Sequence, residues 1–208
     1  MSYDSPLARL LEHPGIWRGR SMAVVDVVPT GFPDLDRSLP GGGWPRVGLV
    51  EILIPRLGIG ELYLLLPAIA RLTRQPSARW CAWIAPPFQP FAPALVAHGL
   101  TLERLLIART RSPLWAFEQA LGSNACDASL TWVRRVHARE IRRLQLAAER
   151  GRTLGFMFRS MRAAQEASSA TLRVLLQPAV QGARVTLLKS RGGLRGSIEV
   201  SWSVVPEK

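Results

Sequence analysis

The chain has 208 residues, of which 48 % are hydrophobic, and a formal net charge of +12. That length suits one main domain with a core of its own, and the apolar fraction excludes wholesale disorder. Two isolated cysteines, Cys81 and Cys126, exclude a disulfide framework or a zinc site, and no uncharged apolar run is long enough for a spanning helix. The N-terminal MSYDSPLARLLEHPG lacks the basic start and apolar stretch of a signal peptide, so the expected location is the cytoplasm. Lysine occurs only at Lys189 and Lys208, which makes 25 of the 27 basic residues arginine. A surplus of arginine over acids points to a polyanion or an acidic protein surface as partner.

Residues 1–30 read as a helical extension. Leu7, Leu10 and Leu11 share one helix face, and Pro14-Gly15 stops it. Residues 31–46 (GFPDLDRSLPGGGWPR) hold a short turn of helix anchored by Leu35 and Leu39 and broken by Gly41-Gly42-Gly43. Residues 47–54 (VGLVEILI) read as a buried strand, and 61–74 as a helix kinked at Pro67. A strand over 80–85 is ended by Pro86-Pro87, and a short helix follows over 91–98. The alternation continues with a strand at 105–108, a helix at 113–121, a strand at 128–133, a helix at 137–150 stopped by Gly151, and a strand at 153–158.

Strands alternating with helices predict an α/β fold, a mainly parallel sheet flanked by helices. After a polar loop at 162–169, segments 172–177, 184–190 and 197–204 alternate apolar and polar residues and predict an antiparallel C-terminal extension. The tryptophans at 80, 83 and 132 are expected in the core. Trp44, in GGGWP, is expected either to pack or to anchor a partner.

In nucleotide-binding α/β folds the first strand leads into a glycine-rich loop, a lysine and a hydroxyl residue. Here Gly58 and Gly60 permit a turn, but Gly60-Glu61-Leu62 stands where lysine and hydroxyl belong. A carboxylate at that helix start would repel a phosphate, so a turn capped by the chain itself is expected. No metal spacing links His13, His98 and His137, and no Ser sits on a G-x-S-x-G turn, so neither a metal centre nor a hydrolase is expected. The densest basic cluster is Arg134, Arg135, Arg139, Arg142 and Arg143. Arg159 with Arg162, and Lys189 with Arg191 and Arg195 about Gly192-Gly193, add further candidate contacts to DNA or a partner.

Residues 30–53 (TGFPDLDRSLPGGGWPRVGLVEIL) resemble the lead-in to the RecA ATPase core. Together with GIGELYLLLPAIARLT, WIAPPFQPFAPAL, LWAFEQAL, RRLQLAAERG and LLKSRGG, they resemble the ImuA family of translesion synthesis proteins. The resemblance implies a degenerate RecA-like ATPase core over 31–204 that binds no cofactor and is not an enzyme. Where that family's RecA relatives carry a catalytic glutamate the chain has Ala85-Pro86-Pro87, and where they hold magnesium it has Trp132. Asp127 lies at the opposite end of that strand. The implied role is an SOS-induced mutasome component contacting an ImuB-like polymerase homologue, RecA, an error-prone C-family polymerase and DNA. SulA-like cell-division inhibitors, which bind FtsZ, share the LPGGG segment and the length, and are the alternative resemblance.

Overall fold

The structure is a computed structural model that describes residues 26–190 and 196–202. The helix expected within residues 1–25, Arg191, Arg195 and the end of the last strand lie outside the described residues.

Among the described residues, ten strands and five helices succeed one another along the chain. β1 (Val27–Val28) pairs antiparallel with β2 (Trp44–Pro45), and α1 (Pro33–Ser38) lies between them. Thr30 is buried, and its backbone N–H donates to Asp36 at 2.8 Å, which ties the segment before α1 to that helix. Then come β3 (Gly48–Ile54), α2 (Leu66–Thr73), β4 (Trp80–Ile84), α3 (Ala92–Ala97), β5 (Leu105–Ala108), α4 (Pro113–Gly122), β6 (Cys126–Trp132), α5 (Ala138–Gly151), β7 (Leu154–Ser160), β8 (Leu172–Ala179), β9 (Gly182–Lys189) and β10 (Ser197–Val200).

β3 to β10 form one eight-stranded sheet in the order β10-β9-β8-β3-β7-β6-β4-β5. Every neighbour pair from β8 to β5 is parallel, while β9 and β10 run antiparallel. The expected antiparallel extension is therefore corrected at its first strand: β8 lies parallel to β3 and turns antiparallel only toward β9. β3 is buried at all seven positions because both faces of the sheet are covered. Val50, Ile52 and Ile54 meet Leu64, Leu65, Ile69 and Leu95 on the α2–α3 side. Leu49 meets Phe117, Ile141, Leu144 and Ala148 on the α4–α5 side. The apolar stripe read from 141, 144 and 148 is the buried face of α5.

Several expected boundaries and burials differ from the structure. Pro67 does not kink a helix; it sits in the first turn of α2, where its missing N–H leaves no bond unmade, and residues 61–65 form turns instead. Gly151 does not end α5 by a left-handed conformation. Arg152 takes it, at φ +50°, while Gly151 is small because a Cβ there would lie 2.0 Å from the Leu121 carbonyl oxygen. Trp80, at the amino end of β4, is 42 % exposed rather than core, whereas Trp44 is fully buried edge-to-face on Phe156 and presents nothing to a partner.

Candidate functional site

The carboxyl ends of β3, β4, β6 and β7 open into a cleft of about 1610 Å³. Ligands of open α/β sheets bind at this edge, where side chains leaving successive strands converge. Ile54, Pro55, Arg56 and Leu57 line it after β3, and Ala85 and Pro87 after β4. Trp132 to Ala138 line it after β6, and Phe158, Arg159, Ser160, Arg162, Ala163, Glu166 and Ala167 after β7. Ile54 and Phe158 are buried in its floor, and Trp132 stacks on Phe158 at 5.0 Å and 16°. Arg56, Arg134, Arg135 and Arg162 are exposed around the rim.

One wall is fixed by charges inside the sheet. Glu51, in the middle of β3, is fully buried. Arg159 Nη1 donates to Glu51 Oε1 at 2.6 Å, and Arg173 Nε lies 2.6 Å from Glu51 Oε2, an ion pair by distance rather than an aligned hydrogen bond. Arg159 also reaches Glu166 at 2.8 Å, and Arg173 donates to the carbonyls of Glu166 at 2.9 Å and Ala163 at 2.7 Å. The loop after β7 is thus tied to the core. Arg159, expected as a surface contact for DNA or a partner, is corrected: it is 4 % exposed and its guanidinium is spent on these bonds.

The Gly58–Glu61 turn lies beside the cleft, not in its lining. The Glu61 carboxylate accepts the N–H groups of Gly58, at 3.1 and 3.2 Å, and of Ile59, at 3.0 Å. Backbone donors that could wrap an anion there are occupied by the chain's own carboxylate. Gly60 takes φ +90° and faces Trp202, which stacks on Tyr63 at 5.9 Å and 8°.

The remaining expected site residues scatter. Arg135 lines the cleft. Arg139, Arg142 and Arg143 occupy the exposed face of α5, and Arg143 pairs with Glu118 at 2.8 Å. Lys189, on β9, donates to the carbonyls of Ser168 and Ala170, both at 2.8 Å. Among the described residues no cluster of three or more His, Cys, Asp or Glu is placed to hold a metal ion, and no helix is long and apolar enough to cross a membrane.

Sequence reasoning passed over a second ionic centre, at the amino edge. Asp127 is buried between Arg46, at 2.6 Å, and Arg79, whose backbone N–H and Nε reach it at 2.7 and 3.1 Å. Burial pushes the Asp127 carboxyl up, but the bond and charge of Arg46 with the Arg79 donors outweigh it and hold the carboxyl below its ordinary value. Cys81 is buried, and burial pushes its thiol up to about 12.

Comparison with known proteins adds the relationship. The family model described as "Cell division inhibitor SulA" matches residues 57–155, from the turn after β3 into β7. The cell division inhibitor SulA of Photorhabdus laumondii is 31 % identical over 99 residues, 46 % of this chain, and the chain spans only 56 % of that relative's length. The Edwardsiella piscicida cell division inhibitor SulA is 32 % identical over 120 residues, covering 54 % of this chain and 68 % of the relative. The crystal structure of SulA from Pseudomonas aeruginosa matches with a TM-score of 0.46 and 25 % identity, over 53 % of this chain and 97 % of that one.

These matches overturn the resemblance to ImuA. With it fall the translesion-synthesis role, the disabled-ATPase reading, and the ImuB-like, RecA, polymerase and DNA partners drawn from it. By the identity and coverage of the Edwardsiella piscicida relative, the chain belongs to the SulA family of cell division inhibitors.

Proposed function

We propose that this chain inhibits cell division by binding FtsZ in the cytoplasm, acting through its surface and not through catalysis. The observation that carries the reading is the extent of the family match. Residues 57–155 take in four of the five helices, β4 to β6 and half of the cleft lining, Arg134 and Arg135 included. The fold reading that goes with it is a RecA-type core, supported by the 30–53 lead-in feeding β3 into the middle of a parallel sheet. In this reading the Gly58–Glu61 turn is structural and holds no nucleotide phosphate, because Glu61 fills it. An SOS-induced inhibitor of this kind needs only to occupy its target. The test is whether the purified chain lowers the amount of FtsZ polymer formed with GTP.

A further inference from the structure

We infer that the cleft at the carboxyl edge of the sheet is a docking site for an acidic protein segment carrying an apolar anchor. The inference rests on the proposed function only in taking a protein as the occupant.

Charge is the first ground. Arg56, Arg134, Arg135 and Arg162 come from three different loops and crowd one opening. Among the described residues none of the four forms an ion pair, so their convergence leaves four uncompensated positive charges around one opening. The single acid in the lining, Glu166, is held by Arg159. Four unmatched guanidiniums repel one another, so an acidic partner gains by neutralising them, and guanidinium pairs carboxylates in a two-pronged geometry.

Size and floor give the second ground. A cleft of about 1610 Å³ exceeds the roughly 300–1,000 Å³ typical of small-molecule sites. Leu57 is 39 % exposed at its edge, beside Ile54, Pro55, Pro87 and Val133. An apolar floor ringed by arginine suits a side chain seated between carboxylates, the usual arrangement of an interface anchor and its polar rim. The wall after β7 is already fixed by Arg159 and Arg173, so little ordering is needed on binding.

Single-stranded nucleic acid fits less well. Base binding needs free aromatic faces. The Trp132 ring, the one aromatic of the lining besides the buried Phe158, has one face stacked on Phe158 and is tilted against Trp83 at 6.1 Å, which leaves no run of free rings for successive bases.

The experiment is fluorescence anisotropy with a labelled 14-residue peptide of Asp and Glu around a central Phe-Leu pair. Its Asn/Gln counterpart and a 14-nucleotide oligo-dT are the comparison probes. The acidic peptide should bind, the amide peptide should bind at least tenfold more weakly, and R134E/R135E should weaken the acidic peptide at least tenfold. R71E/R184E makes the same charge change away from the cleft and should alter binding less than twofold. Equal losses in both double variants would reduce the effect to overall charge and overturn the site. So would tighter, R134E/R135E-sensitive binding of oligo-dT, or no binding of the acidic peptide. FtsZ sedimentation run in parallel separates the two claims: inhibition without peptide binding removes the cleft alone, and peptide binding without inhibition removes the proposed function alone.

Discussion

Glu51 and its two arginines show how a single residue type can hide its role. A carboxylate at zero exposure is tolerable only when paired, and Arg159 and Arg173 pair it from β7 and β8. Glu51→Leu leaves the buried Arg173 without a counter-charge and Arg159 with only the exposed Glu166, and should cost about 3–5 kcal/mol in urea unfolding. Replacing all three residues by Leu, Met and Met should recover most of that loss, whereas a triple variant no better than the single would contradict the pairing account. Asp127 gives the pH dependence. Its carboxyl is held below the ordinary value, so its contribution is full above the unfolded-state value and is lost as pH falls through the folded one. Asp127→Asn should cost about 1–3 kcal/mol near neutral pH, and its gap to wild type should narrow as the pH is lowered from neutral to below the ordinary carboxylate value. A gap that stays constant across that range would show that the charge contributes nothing. Neither centre was legible in advance. Glu51 is 108 residues from Arg159 along the chain, and an arginine in FMFRS reads as surface until its partner is placed. The remaining signal was the lone acid inside VGLVEILI, which demands a positive neighbour.

At the scale of elements, the central strands β3 and β7 were readable because both are covered on two faces and run largely apolar without alternation. The α5 stripe was readable for the complementary reason, a 3.6-residue period against one covered face. The misread points are those where a residue acts through a distant neighbour. Gly151 makes room for the Leu121 carbonyl, and β8 owes its parallel pairing to β3, more than a hundred residues earlier. The turn between β3 and α2 ties these scales together. Gly60 has φ +90° and a Cβ there would lie 2.7 Å from the Trp202 ring, so Gly60→Ala strains the backbone and displaces the ring from Tyr63. The change should lower stability by about 1–3 kcal/mol, read as a lower thermal midpoint. An unchanged midpoint would mean that Trp202 does not brace the turn.

At the largest scale the fold is a mainly parallel sheet with two antiparallel strands at one edge and a basic opening at its carboxyl edge, on a chain of net charge +12. The cleft itself was half legible. Arg135 and Arg162 were read as binding residues, while Arg56 and Leu57 were seen only as part of a turn, because their convergence depends on sheet order. Family assignment did not come from the segments read in the sequence; it came from the 32 % identity over 120 residues to a relative covered to 68 % of its length, with the family match over residues 57–155 beside it. The most direct measurement of the central claim is sedimentation of purified FtsZ with GTP across a titration of this chain. The pelleted polymer should fall in step with added chain and approach zero near equimolar amounts. Undiminished polymer at a several-fold excess of folded chain would contradict the account.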